Sequence, residues 1–149
     1  MSEMLGNRYF IARQYDKAYD NFQIALNDDP KNLKLKKRLI ICLIQLGQID
    51  QALDCFYEVI STDPYAIINT DPYRDDCPCT EIIPQWESKH ISASEKARIN
   101  EILGMLYLFC DLKKSIKHFK SSLTKDKTNK KISSIIKILT TLKPVKSHS

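Results

Sequence analysis

Two cysteines and a histidine come closest to a reactive or metal-binding motif in this sequence. Cys77 and Cys79 flank a proline, and His90 follows eleven residues later. Structural zinc sites usually place paired cysteines two to four residues apart. A gap of one residue makes it difficult for both thiolates to reach one tetrahedral ion, and redox pairs usually have two intervening residues. We therefore interpret these cysteines as incidental and retain the three residues only as a weak metal-site candidate.

The chain lacks the other patterns on which enzyme chemistry depends. Its three histidines, His90, His118 and His148, are scattered and have no serine or cysteine partner at a characteristic spacing. Three glycines could hardly build a phosphate-binding loop. The sequence therefore predicts a protein that is not an enzyme and needs no cofactor.

Basic residues are the other group with chemical potential, and they are concentrated at one end of the chain. The 149 residues carry a net charge of +5, whereas residues 111–149 alone hold eleven lysines against two aspartates. Modules that bind nucleic acid interleave aromatic residues or arginine with their basic residues, and this segment does not. We interpret the lysines as the solvated face of a terminal helix, with association with a polyanion as the alternative.

A 34-residue internal repeat defines the elements that must position these side chains. The residues that recur at this period are Asp16, Ala18, Phe22, Asp29 and Pro30, which return as Asp50, Ala52, Phe56, Asp63 and Pro64. A fixed period of this size is typical of stacked supersecondary units, none of which can bury its apolar face alone. Each unit has helical apolar spacing, a short turn, a second helical segment and a proline that ends it.

The residue types suit two helices that pack closely. Gly6 and Ala18 are small where the helices of the first unit must approach, and Tyr9 and Phe22 are large where the gap must be filled. Asp16 and Asp50 precede the second helix of each unit, and we expect both to act as N-caps.

This pattern resembles the tetratricopeptide repeat family, a 34-residue helix–turn–helix unit. The first unit matches its motif at Leu5, Gly6, Tyr9, Ala18, Phe22, Ala25 and Pro30. The second unit matches at Leu39, Ala52, Phe56 and Pro64 but has Ile40 and Leu43 where the family usually has glycine and tyrosine. A third, degenerate unit carries Leu103, Gly104, Tyr107, Ser115, Phe119 and Ser122.

The repeat and the resemblance predict an all-α fold, a short right-handed α-solenoid in one domain over residues 1–149. We expect its parts to be repeat 1 at about 1–32, repeat 2 at 33–64, an irregular insert at 65–91, repeat 3 at 92–127, a capping helix at 128–143 and a tail at 144–149. Pro84 should limit the insert to one short turn of helix, and Ser92 with Glu95 forms a capping box for the third repeat.

In the family, the first helix of each repeat lines a concave binding groove. The resemblance implies that the groove of this chain is formed by Asn7, Lys34, Lys37, Arg38, Ile41, Arg98 and Met105. Such a groove suits a peptide with an acidic or C-terminal carboxylate group and an apolar anchor. The alternative is that these cations are only solvated helix surface. Chaperone-binding members hold a carboxylate with a fixed set of side chains, of which only Asn7 is present, so we do not expect that ligand.

The sequence thus predicts a non-enzymatic protein–protein interaction module or scaffold that holds a partner peptide or helix. One alternative is a structural subunit of a homo-oligomer or complex that packs through the first repeat and the insert. Another is a polyanion-associated accessory protein that uses the basic C-terminal region; we do not expect nucleic acid as a partner. We see no secretory signal and no apolar run long enough for a membrane span. Cys42, Cys55 and Cys110 lie in apolar helical patterns, which favours free thiols and a cytoplasmic, reducing location.

Overall fold

A computed structural model of the chain describes residues 2–70, 80–89 and 96–142. Within these residues there are nine α-helices and no β-strand, which confirms the predicted all-α class. The helices are α1 (Ser2–Ile11), α2 (Tyr15–Asp28), α3 (Leu33–Gln45), α4 (Ile49–Thr62), α5 (Tyr65–Ile68), α6 (Ile82–Glu87), α7 (Lys96–Tyr107), α8 (Leu112–Lys125) and α9 (Lys130–Thr140). The capping box at Ser92 and Glu95 and the tail at 144–149 lie outside the described residues.

The chain divides into two compact structural units, Met1–Val59 and Ile60–Ser149. The first unit and the second unit are these two parts of the fold, and the 34-residue segments of the sequence are called repeats. In the first unit, α1 packs against α2, and α2 packs against α3. In the second unit, α7 packs against both α6 and α8, and α8 packs against α9. The single domain over residues 1–149 stays a prediction.

The helices of the first pair meet where an aromatic ring lies on a glycine. Phe22 of α2 is fully buried, and a Cβ atom added to Gly6 of α1 would lie 2.6 Å from its Cδ1 and Cε1 atoms. Phe10 completes this core, with its ring centroid 6.1 Å from that of Phe22 and 5.7 Å from that of Tyr15. Glycine at position 6 is therefore required by the close approach of α2.

The pair formed by α7 and α8 repeats this contact. Phe119 is fully buried, and a Cβ atom on Gly104 would lie 2.9 Å from three of its ring atoms. Ser115 replaces the alanine of the other repeats, and its Oγ donates a 2.6 Å hydrogen bond to the carbonyl oxygen of Gly104. The buried hydroxyl is thereby satisfied, and it joins the two helices at Gly104, the residue on which Phe119 packs. The degenerate third repeat thus keeps the packing of the first.

Asparagine and aspartate side chains cap the later helices. Asn32 accepts a hydrogen bond from the backbone N–H of Leu35 at the start of α3. Asp111 does the same for α8, and Asn129 for α9. The predicted N-caps of the second helices are wrong, because α2 begins at Tyr15 and α4 at Ile49. Asp16 and Asp50 lie inside the first turn, where a carboxylate is favoured by the helix dipole instead.

Two further expectations need correction. The insert at 65–91 was expected to hold one helical turn at most, yet it contains α5 and the six-residue α6. Pro84 is the third residue of α6, within the first turn, where a backbone N–H has no partner in the helix and its loss costs nothing. Cys42 and Cys55 are free, and burial raises the pKa of each thiol to about 12. Cys110, in contrast, is exposed beyond the end of α7 and is disulfide-bonded.

We predict that Gly6→Ala destabilises the protein although alanine is the better helix former. The added methyl would displace the buried Phe22 ring, and overpacking typically costs about 1–3 kcal/mol. The gain in helix propensity offsets roughly 1 kcal/mol or less of this. Urea unfolding should show a lower midpoint. In a Phe22→Leu background the same substitution should become neutral or stabilising, and an equal cost in both backgrounds would contradict this account.

Candidate protein-interaction site

A hydrogen bond joins the first helices of the two repeats in the first unit. The Nη1 atom of Arg38 on α3 donates to Oδ1 of Asn7 on α1 over 2.6 Å, in a partly buried setting. The two residues are 31 positions apart in sequence. Asn7 is neutral, so this bond fixes the guanidinium without cancelling its charge. The structure thus brings together two of the seven predicted groove residues.

The other predicted groove residues of α3 differ in exposure. Lys34 is exposed and lies one helical turn before Arg38, so their side chains project from the same face. Lys37 is 9% exposed and Ile41 is 1% exposed. Burial places these two side chains in the packing of the helix rather than on its surface. The neighbouring Lys36 is already engaged, since it forms an ion pair with Glu58 of α4.

In the second unit, the predicted cation is paired with a carboxylate. The Nη1 atom of Arg98 lies 3.0 Å from Oε2 of Glu101, one turn further along α7. Glu101 is only 5% exposed, and Ser122 of α8 contacts its other oxygen at 3.5 Å. Met105 is fully buried. Arg98 therefore has a local partner for its charge, and Met105 contributes to the core.

A polar network that the sequence analysis missed joins α6, α7 and α8. The hydroxyl of Tyr107 donates to Glu87 over 2.5 Å, and its ring stacks on His118 with centroids 5.3 Å apart. His118 extends the network to Asn100 of α7, because its Nδ1 atom lies 3.0 Å from Oδ1 of that residue. Burial and the hydrogen bond to Glu87 raise the pKa of Tyr107 to about 12, so the hydroxyl keeps its proton.

One signal for part of this network is present in the repeat. In the first unit, the Nζ atom of Lys17 lies 5.6 Å from the ring centroid of Tyr9. In the second unit, Lys114 lies 5.3 Å from that of Tyr107. Tyr9 and Tyr107 occupy the same motif position, and so do Lys17 and Lys114. The lysine–aromatic pair is therefore a repeated feature that sequence analysis could have found.

The weak metal-site candidate from the sequence stays a prediction. Cys77, Cys79 and His90 lie outside the described residues. Among residues that are described, no group of three histidine, cysteine, aspartate or glutamate side chains could hold a metal ion. Within the same residues, none of the helices has the length and apolar character to cross a bilayer.

Comparisons with known proteins agree with the repeat pattern. Residues 9–64 match the model of the tetratricopeptide repeat family. The first two repeats, over residues 9–64, are therefore tetratricopeptide repeats. A protein of Dictyostelium discoideum named DnaJ homolog subfamily C member 7 homolog is 35% identical over 63 residues. That match covers 40% of this chain and 12% of the relative, so the chain spans only a small part of that protein's length.

Tetratricopeptide repeats generally mediate protein–protein interaction, and proteins of this family are typically non-enzymatic. The match ends at Pro64, the last motif residue of the second repeat. The degenerate third repeat lies beyond it, although its Gly104–Phe119 contact reproduces the packing of the first repeat.

We predict that His118 makes the protein less stable at acidic pH. Burial, together with Lys117 and Lys114, lowers the pKa of His118, while the nearby Glu87 partly opposes this. The unfolded chain, with a histidine pKa near 6.5, then binds more protons than the folded one, so stability falls as the pH drops below about 7. In His118→Gln, the fall in unfolding free energy between pH 7.5 and 5.5, measured with urea, should be smaller. An unchanged pH profile would refute the assignment.

Proposed function

We propose that this protein is an interaction module that binds an acidic or C-terminal carboxylate group of a partner peptide along α1 and α3. The observation that carries the proposal is the bond between Arg38 and Asn7, which holds a charged guanidinium between two first helices. A restrained arginine loses little conformational freedom on binding, and its planar fork matches a carboxylate.

Lys34 supports the proposal as a second cation on the same face. It is exposed, and it is separated from Arg38 by one turn of α3. A carboxylate bound to Arg38 would therefore lie within reach of a second positive charge. Charge-assisted hydrogen bonds of this kind are about twice as strong as neutral ones. The buried Lys37 and Ile41 would support the helix that presents these two residues.

Binding of short peptides tests this function. We expect a set of fluorescent peptides with acidic residues and a free C-terminal carboxylate to include ligands, and Arg38→Gln should weaken their binding by about 2 kcal/mol, roughly thirtyfold. Lys34→Gln should have a smaller effect, because its flexible ammonium is not restrained. Fluorescence anisotropy at low salt provides the measurement.

Matched substitutions at other exposed cations serve as controls for this test. Arg8→Gln on α1 and Lys31→Gln before α3 remove the same charge from exposed positions and should leave affinity unchanged. Amidation of the peptide C-terminus separates recognition of the terminal carboxylate from recognition of acidic side chains. Equal losses in all four variants would mean that only the net charge matters, and the proposed site would be rejected.

A second candidate function is that of a structural subunit, and the surface of α1 favours it. Met4 is 66% exposed, Leu5 43% and Ile11 69%. Met4 and Ile11 lie two turns apart on one side of α1 with Arg8 between them, and Leu5 lies beside this side. Exposed apolar side chains grouped in this way often mark a contact with another protein. A helix from another subunit, with a carboxylate opposite Arg8, would cover these side chains.

This alternative predicts an association that persists when charges are screened. In about 0.5 M salt, light scattering should give a mass above that of the monomer. The double variant Met4→Gln/Ile11→Gln should have the mass of the monomer. The control variant Leu46→Gln, which changes an exposed apolar residue outside α1, should keep the mass of the parent protein. A monomeric parent protein at about 0.5 mM would rule out self-assembly through α1.

A further inference from the structure

The exposed side of α8 carries a shallow, open depression with a volume of about 420 Å³, termed the basic groove. The residues that line it are Lys113, Ile116, Lys117, Lys120, Ser121 and Thr124. All three lysines are exposed, and within the described part of the chain they form no ion pair. Ile116 is half-buried and adds apolar surface to the wall of the groove. The groove thus combines positive charge, hydroxyl groups and one apolar side chain.

These lysines are placed against the electrostatic preferences of their own helix. The fourteen residues of α8 include no aspartate or glutamate. Lys113 lies in the first turn, where its interaction with the helix dipole is unfavourable and is partly offset by the Asp111 N-cap. Lys117 is four residues from Lys113 and three from Lys120, and like charges at these spacings repel. An anionic partner would relieve this repulsion on binding.

The second helices of the other repeats carry the opposite charge at matching positions. When Phe119 is aligned with Phe22, Lys113 corresponds to Asp16 and Lys117 to Asp20. In the second repeat, the same positions hold Asp50 and Asp54. Asp16 and Asp20 are exposed one turn apart on α2. The same outward face of the second helix is therefore acidic in the first unit and basic in the second.

An exposed apolar side chain accompanies the acidic pair on α2. Ile24 is 52% exposed and lies one turn beyond Asp20. The only described cation among the first six residues of α2 is Lys17, which lies over the ring of Tyr9. The surface of α2 therefore has the features that complement the groove of α8, namely helically spaced carboxylates and an apolar anchor.

We propose that the basic groove of α8 binds the acidic face of α2, formed by Asp16, Asp20 and Ile24, from a second copy of this chain. Each copy carries both surfaces, so the contact is heterologous, and association continues unless the copies close into a ring. A single helix face is smaller than a standard interface of about 800 Å² per partner, so the association is weak and reversible. Because it depends on charge, it is suppressed by salt.

The experiment uses two full-length charge-reversal variants, Lys113→Asp/Lys117→Asp and Asp16→Lys/Asp20→Lys. Sedimentation velocity is recorded over a range from about 10 to 500 µM, in about 20 mM and 500 mM salt. We expect the parent protein to self-associate in low salt, with association at least about tenfold weaker in high salt. Each variant alone should be monomeric, because one of its two surfaces then repels the other. Circular dichroism confirms that both variants keep their helices.

Mixing the two variants decides the question. The first variant keeps an acidic α2 and the second keeps a basic α8, so their equimolar mixture should associate about as strongly as the parent protein. A control variant, Lys137→Asp on α9, reverses the charge of one lysine outside the groove. This variant should associate like the parent protein. Restoration in the mixture cannot come from misfolded variants, because such variants would not bind each other.

Several outcomes would overturn the proposal. A parent protein that stays monomeric at about 500 µM in low salt excludes α2 of a second copy as the occupant. Monomeric variants whose mixture does not associate exclude the pairing of these two helices. If the groove variant instead loses binding to heparin, used as a polyanion probe, while self-association is unchanged, the groove serves a polyanion. None of these results depends on Arg38, so they leave the proposed peptide site to its own test.

Discussion

The contact between a phenylalanine ring and a glycine is the constraint on which the helix pairs depend. Phe22 lies on Gly6 and Phe119 lies on Gly104, at distances that leave no room for a Cβ atom. This contact brings the axes of two helices close together and fixes the level at which they meet. Because this contact lies at equivalent positions of the helix pair in both units, it also sets where the side chains on the outer faces of the helices lie. The positions of the charged surfaces therefore depend on a buried, uncharged contact.

A repeated interior leaves the exterior free to differ. The buried rings are the same in both units, yet the outward face of the second helix carries Asp16 and Asp20 in one unit and Lys113 and Lys117 in the other. Exposed positions contribute little to stability, so substitutions there usually change the free energy of unfolding by about 0.5 kcal/mol or less. Opposite charges on equivalent faces therefore change the stability of the fold little, and they indicate what each face can bind.

Much of the fold could be predicted because its signals are local and repeated. The 34-residue period identified α1 to α4. The third repeat lacks several motif residues but keeps Gly104 and Phe119, which identify its helix pair. The N-caps of α2 and α4 were assigned wrongly because an acidic residue near a helix start suits either the cap or the first turn. Pro84 was treated as a helix breaker, although its position in the first turn of α6 makes it harmless.

The candidate site was harder to predict, because an alignment gives a position on a helix but not the exposure or the partner of a side chain. Arg38 and Arg98 were predicted for the same groove, but they differ in what they can offer a ligand. Arg98 is bonded to the buried carboxylate of Glu101, so an incoming anion would have to compete with a charge of its own sign. Arg38 is bonded to the neutral amide of Asn7, which orients the guanidinium and leaves its charge available. The proposed carboxylate site therefore lies in the first unit.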